Sequence, residues 1–404
     1  MKKHVMTRHI YSILGLSALG ASMAITPSFA YASSFTEALT GGTAKLDFRL
    51  RYEGVEQEGR DDASALTLRT RLGYLTGDYN GFSGFVEMSN NTAYERNDYL
   101  VPAGPDANTP STKAVVLDPE LTTLNQAWIA YQTEGLKLKY GHQRIIMDTR
   151  FLGNVGWRQQ EQIYSGLSLN AALKGFKFDY AYINNVLNPV GVDIDMTSHA
   201  GKLEIAKIPF GKLTAYGYLL DYEVGTDSQT VGLRLAGKTG LSESIKLSYH
   251  LEYADQSDYK DSNNIGGDYH RAELGLTFNG IKILAGQERL GGDGSSAFQT
   301  PLGTVHLYNG WADMFIGPVG GTPANGLIDN YLKVSGKALG MKLAAAYHDF
   351  GSDIGSIDYG SEIDLLAAKK LGKNYTVGIK YASYSADSYA VDTDKLWVWG
   401  ELKF

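Results

Sequence analysis

Past residue 32, no segment of this chain holds 18 consecutive apolar residues, yet apolar and polar side chains alternate along nearly its whole length. A membrane-crossing helix needs about 20 apolar residues in a row. If such a chain enters a bilayer it must do so as strands closed into a barrel, where every backbone polar group finds a partner. The alternation is explicit. Leu46, Phe48, Leu50 and Tyr52 share one face and Asp47, Arg49, Arg51 and Glu53 the other. Leu66, Leu68, Leu72 and Tyr74 oppose Arg69, Arg71 and Gly73, and Ile245, Leu247, Tyr249, Leu251 and Tyr253 oppose Lys246, His250 and Glu252. Runs of about ten residues with this period match tilted membrane strands, whereas strands of soluble proteins are nearer five or six.

The pattern predicts strands at 45–54, 64–76, 81–91, 123–133, 135–145, 162–173, 175–185, 197–208, 211–223, 228–238, 244–255, 268–279, 280–290, 329–338, 340–350, 360–371, 374–386 and 394–404. The even-numbered connections are short, for example Glu134, Lys174, Asn279-Gly280 and Leu339, while 92–122, 146–161, 186–196 and 291–328 are long. This parity predicts an all-β, antiparallel up-and-down barrel of about 18 strands, with periplasmic turns and extracellular loops. A barrel of that size encloses an aqueous channel unless something folds inside.

Residues 1–32 read as a secretory signal: Lys2, Lys3 and Arg8, then an apolar run from Ile10 to Ile25, then Ala30-Tyr31-Ala32. The expected barrel domain is 33–404. Losing those three cations would take the formal charge from -7 to -10, and with no basic tract the driving force for nucleic-acid binding is missing. There is no cysteine, which excludes disulfides, thiolate metal sites and thiol nucleophiles. At the other end Leu396, Val398, Gly400, Leu402 and Phe404 share a face, so Phe404 is a candidate signal for the outer-membrane assembly machinery, with an edge strand of a soluble sheet as the bland alternative.

Inward charges are ordinary in a barrel, but a cluster is not. Arg49 and Arg51 share a side, as do Arg69 and Arg71, and a symmetric hairpin sets Arg49 opposite residues 68 to 69. Four like charges repel, which points either to bound anions or to a neutralised ladder with Asp47, Glu53, Glu87 and Glu273. Arg144, Arg234 and Arg271 are further candidates for the ring, since a guanidinium pairs with a carboxylate through two parallel hydrogen bonds. Acids crowd the long loops (Glu56, Glu58, Asp61, Asp62, Asp387, Asp392, Asp394) and lysines the short turns (Lys174, Lys177, Lys337, Lys342, Lys369). The outer acids suit divalent ions bridging lipopolysaccharide, and the lysines either draw anions or solvate turns. His-Glu-x-x-His, Gly-x-Ser-x-Gly and phosphate-loop motifs are missing, so neither an enzyme nor a cofactor is expected. Asp261-Ser262-Asn263 with Gly266 lacks the closing glutamate of a calcium loop.

Two long loops carry more specific patterns: Phe151-Leu152-Gly153-Asn154-Val155-Gly156-Trp157-Arg158-Gln159-Gln160-Glu161-Gln162, and His306-Leu307-Tyr308-Asn309-Gly310-Trp311-Ala312-Asp313-Met314-Phe315 followed by Thr322-Pro323-Ala324-Asn325-Gly326-Leu327. With Phe48-Arg49-Leu50-Arg51-Tyr52-Glu53 and Leu68-Arg69-Thr70-Arg71-Leu72-Gly73-Tyr74, they resemble the alginate-export family of outer-membrane channels. The resemblance implies an eighteen-stranded barrel with an arginine-rich constriction that passes a polyuronate, or, in shorter relatives, anionic oligosaccharides or small acids. The expected function is therefore passive diffusion of anions through a barrel set in outer-membrane lipid. Trp157, Arg158, Trp311 and Asp313 would anchor loops 146–161 and 291–328 as gates folded over or into the mouth, or merely pack them against the rim. The rivals are a plugged structural or adhesion barrel and, more remotely, a hydrolase with a serine-histidine pair at the rim.

Overall fold

The computed structural model describes residues 32–108, 112–262, 264–316 and 321–404; the expected signal segment, apart from Ala32, lies outside the described residues. Eighteen antiparallel strands form one sheet that closes on itself. In chain order they are β1 (Thr43–Gln57), β2 (Ala63–Leu75), β3 (Phe82–Ala93), β4 (Leu121–Thr133), β5 (Leu136–Gln143) and β6 (Ile163–Leu173). Next come β7 (Phe176–Leu187), β8 (Asp193–Ile208), β9 (Gly211–Leu220), β10 (Ser228–Gly240), β11 (Ile245–Ser257) and β12 (Gly266–Phe278). The last are β13 (Ile281–Leu290), β14 (Leu327–Ala338), β15 (Met341–Gly351), β16 (Asp358–Leu371), β17 (Tyr375–Ala386) and β18 (Thr393–Lys403).

Each strand pairs with its sequence neighbours, and β1 closes the ring on β18 through a ladder from Asp47↔Lys403 to Gln57↔Thr393. The short turns use the chemistry of tight hairpins: Asn279 and Gly280 sit at φ 48° and 82°, and Leu339 and Gly340 at 53° and 71°. Positive φ at both central residues is the type I′ geometry, whose twist matches the flanking strands. All eighteen expected strands are present. One boundary differs in a way that matters: β5 ends at Gln143, so Arg144 stands on a loop rather than on a strand. The pattern also missed a short helix, Phe35–Thr40, capped by Ser34 and held to the β2–β3 turn by Gly77 N–H donating to the Ala38 carbonyl at 2.9 Å.

The outward face is apolar, with Leu50, Leu72, Ile129, Leu233, Leu274, Ile283, Leu332, Ile363 and Val398 all exposed. The main apolar core instead lies inside the ring. Phe151, Leu152, Phe298, Leu302, Trp311 and Phe315 leave the loops after β5 and β13 and pack on the inner faces of Tyr216, Tyr218, Tyr269, Phe350, Tyr384 and Trp397. Both long loops therefore fold into the barrel.

Candidate functional site

The four arginines of the first hairpin stand together on the inner wall, with Arg49 directly across from Arg69 and Arg71 across from Asp47. Their guanidinium groups do not face open solvent, because the loop between β5 and β6 lies on them. Arg49 Nε donates to Gln159 Oε1 at 2.8 Å and Nη2 donates to the Arg158 carbonyl. Arg51 reaches the Trp157 carbonyl at 2.6 Å and pairs with Asp118 and Glu53. Arg69 is held by Asp47 at 2.6 Å and Glu401 at 3.2 Å, and Arg71 by Glu161 at 3.1 Å. Arg51 and Arg69 are 1% and 2% exposed. Of the two alternatives, bound anions or a neutralised ladder, the contacts shown are of the second kind: protein carboxylates, carbonyls and the Gln159 amide take up most of these donors, with Nε of Arg51 and of Arg69 left over.

The same loop continues the pattern around the wall. Arg144 bridges Glu87 at 3.0 Å and Glu161, and Arg158 joins both oxygens of Glu53, at 2.9 and 3.0 Å, to Asp313 at 3.0 Å. Arg150 binds Glu288 at 3.0 Å, Arg234 binds Asp148 and Glu252, and Arg271 binds Glu273 at 2.6 Å. The ladder with Asp47, Glu53, Glu87 and Glu273 is thus present, extended by loop acids. A buried charge is tolerated only when paired and hydrogen-bonded; Arg51, Arg69 and Arg71 meet carboxylates, while Arg49 is held by the Gln159 amide oxygen and the Gly156 and Arg158 carbonyls.

The two loops also bond to each other. Gly153 N–H donates to the Leu302 carbonyl at 2.9 Å and Thr304 N–H to the Thr149 carbonyl at 2.7 Å. Trp157 and Trp311 lie deep inside rather than on the rim. Trp157 stacks on His306 at 4.9 Å and meets Trp397 edge-on at 5.7 Å. The Lys380 ammonium sits over Trp157 at 3.8 Å and Trp311 at 4.1 Å and donates to His306 Nε2 at 2.8 Å. Since Nε2 accepts, the ring proton resides on Nδ1, which donates to Asp313 at 2.7 Å. Burial, opposed by Asp313, pushes the His306 imidazole down to about 3, so the ring is neutral at physiological pH.

Below the loops, towards the short turns, the inner wall is basic. Lys139, Lys282, Lys333 and Lys342 alternate with outward apolar residues such as Leu138, Ile283, Leu332 and Leu343. Among the described residues these four have no carboxylate within ion-pair distance; Lys202, Lys212 and Lys403 do, in Asp179, Glu204 and Glu401. Lys139 lies over Trp128 at 4.6 Å and Lys333 over Tyr331 at 4.5 Å. At the opposite rim, Glu56, Glu58, Arg60, Asp62, Asp392 and Asp394 line a cleft of about 410 Å³.

Sequence reasoning missed Asp118, Gln159, Glu161 and Lys380. Each is a polar residue whose partner comes from a distant segment, and only Lys380 carried a local signal, a cation on the inward parity of β17. Phe404 is exposed, and its N–H pairs with the Leu46 carbonyl at 2.9 Å. A serine-histidine contact does occur, His142 Nδ1 to Ser165 Oγ at 2.8 Å, at the long-loop end of β5 and β6 but on the outward side with Leu138 and Tyr140, not in the lumen. Among the described residues no group of three or more His, Asp or Glu side chains has metal-binding geometry.

No family model matches the chain, and no curated protein matches it in sequence. Solved structures do match in fold. OccAB2 of Acinetobacter baumannii superposes with a TM-score of 0.69 at 15% identity, over 91% of this chain and 99% of that one. The outer membrane protein OpdK of Pseudomonas aeruginosa gives 0.70 at 13%, over 90% and 98%, and OpdK with vanillate gives 0.67 at 14%, over 89% and 98%. The chain shares the closed eighteen-stranded antiparallel barrel fold of these structures.

Proposed function

We propose that the protein is an outer-membrane channel for passive diffusion of small organic anions, with the two inward loops as its constriction. The observation that carries this reading is the set of unpaired lysines, Lys139, Lys282, Lys333 and Lys342, on the wall below the loops. Fixed positive charge on a low-dielectric wall raises the local concentration of anions and lowers that of cations. An apolar outer face with a polar interior suits residence in the outer membrane, with the short turns periplasmic, and the fold neighbours include an outer membrane protein. Vanillate, seen with one of them, is a small carboxylate, the class favoured here. Alginate or another anionic polysaccharide is a weaker fit, since a polymer would require both loops to leave the lumen together. Rim acids such as Asp62 and Asp392 would hold divalent ions against lipopolysaccharide.

The test is ion selectivity of the purified protein in planar bilayers. Chloride should pass in preference to potassium, less so as rising salt shortens the screening length. Replacing Lys139, Lys282, Lys333 and Lys342 with glutamine should weaken the preference at least as much as a several-fold rise in salt does. A cation-selective wild type would overturn the reading. A plugged barrel is the second reading, favoured by the burial of the arginines beneath the loops, and its signature is no conductance from folded protein.

A further inference from the structure

The inner wall holds a second charged group, two strands along from Lys333. Glu362 and Asp364 stand two residues apart on β16, so both side chains point inward, and both are sealed from water at 1% and 0% exposure. Their carboxyl groups meet. From β15, His348 donates Nδ1 to Asp329, 2.9 Å from each oxygen, and aims Nε2 at Asp364 Oδ2, 3.7 Å away. Glu362 Oε1 accepts the backbone N–H groups of Trp311 and Ala312, the latter at 2.7 Å. This carboxyl group therefore grips the loop between β13 and β14. The grip is close: a Cβ on Gly310, at φ 82°, would fall 2.2 Å from Glu362 Oε2.

Three carboxyl oxygens remain, Glu362 Oε2 and both of Asp364, and none has a hydrogen-bond partner among the described residues; neither does His348 Nε2. Two bare carboxylates in contact repel each other and lack donors for their lone pairs. One proton between them relieves both faults, because it makes one oxygen a donor to the other and cancels one of the two charges. The surrounding titratable groups are His348 on β15, Lys333 on β14, Lys380 and Tyr384 on β17, and Lys395 on β18. Of the nitrogen bases among these, only His348 comes within 4.0 Å of either carboxyl group.

We propose that Glu362 and Asp364 share a single proton and that the protonated pair is the clasp holding the loop between β13 and β14 against the inner wall. Losing the proton sets two like charges side by side beneath Trp311 and Ala312 and frees the loop. The clasp stands independently of what crosses the barrel; its effect on permeation rests on the channel reading.

The full-length protein in detergent micelles tests this by infrared spectroscopy and by chymotrypsin, whose sites Trp311 and Phe315 lie on the clasped loop. At neutral pH the wild type should show the carbonyl stretch of a buried protonated carboxyl group, and this band should vanish in both E362Q and D364N. E362Q keeps an oxygen for the two loop N–H groups and an amide donor for Asp364, so its loop should stay protected. As the pH is raised until the wild-type band disappears, cleavage at Trp311 or Phe315 should accelerate tenfold or more in the wild type and not in E362Q, which controls for the protease's own pH response. A wild type without the band, or one whose band survives in both variants, overturns the shared proton. Equal cleavage of wild type and E362Q at every pH overturns the clasp. If band and cleavage behave as stated while the folded protein shows no bilayer conductance at any of these pH values, the clasp holds and the channel reading fails.

Discussion

Arg158→Met isolates the contact that ties both inward loops to the wall. Arg158 is 4% exposed and bridges Glu53 on β1 to Asp313 on the opposing loop, with all three contacts at 2.9 to 3.0 Å. Methionine fills much of the volume but removes the charge. Glu53 keeps a second cation in Arg51 at 3.2 Å, while Asp313 keeps only the His306 hydrogen bond and the Lys395 ammonium beyond ion-pair distance. Removing one partner of a buried ion pair costs about 3–5 kcal/mol, and every 1.4 kcal/mol is tenfold. The undocked state of the loop between β5 and β6 should therefore become about a hundredfold to a few thousandfold more populated, while the barrel stays heat-modifiable. Trypsin reads this at Arg150, which is 1% exposed in the docked state. Where opening and closing are fast, cleavage follows the population of the open form. Arg96→Ala is the control, because the Arg96–Asp106 pair lies within the loop between β3 and β4 and joins neither inward loop to the wall. If Arg158→Met is cleaved at Arg150 no faster than Arg96→Ala, the network does not hold the loop and the argument from burial is wrong.

Replacing both Arg49 and Arg69 with alanine should raise single-channel conductance and current noise more than it shifts anion selectivity, because these side chains hold Gln159, Asp47 and Glu401 instead of lining open solvent; an unaltered conductance with lost selectivity would restore them as the selectivity filter. His306 gives an acid-side prediction with a definite sign. Its folded value, about 3, lies below the ordinary 6.5, so the unfolded or undocked form binds more protons between those values and loop docking weakens as pH falls through that window. Protease protection of the loop between β13 and β14 should drop from pH 6.5 towards 3 in the wild type and more shallowly in His306→Asn; equal slopes would refute the assignment.

The barrel was legible in the sequence because its signal is local. A strand's side chains alternate every residue, so one apolar face against lipid and one polar face inside write the fold into each segment separately. The parity of short and long connections follows from the same closure, as does the pairing of Arg49 with Arg69 across a single hairpin. Which loops could enter the barrel was legible as one alternative, but not what they would touch there. Phe151, Trp157 and Trp311 read as loop aromatics that could equally have sat on the rim, and only folding brought them onto Tyr216, Trp397 and Lys380, which lie elsewhere in the chain. The arginine patch shows the limit most clearly. Its geometry came from neighbouring strands, but its electrostatic state was decided by Asp118 and Glu161, acids on loops whose path through the lumen no periodicity encodes. Period-two patterning fixes which way a side chain points; whether it meets solvent, an anion or a carboxylate depends on long-range loop packing, which is a property of the tertiary structure alone.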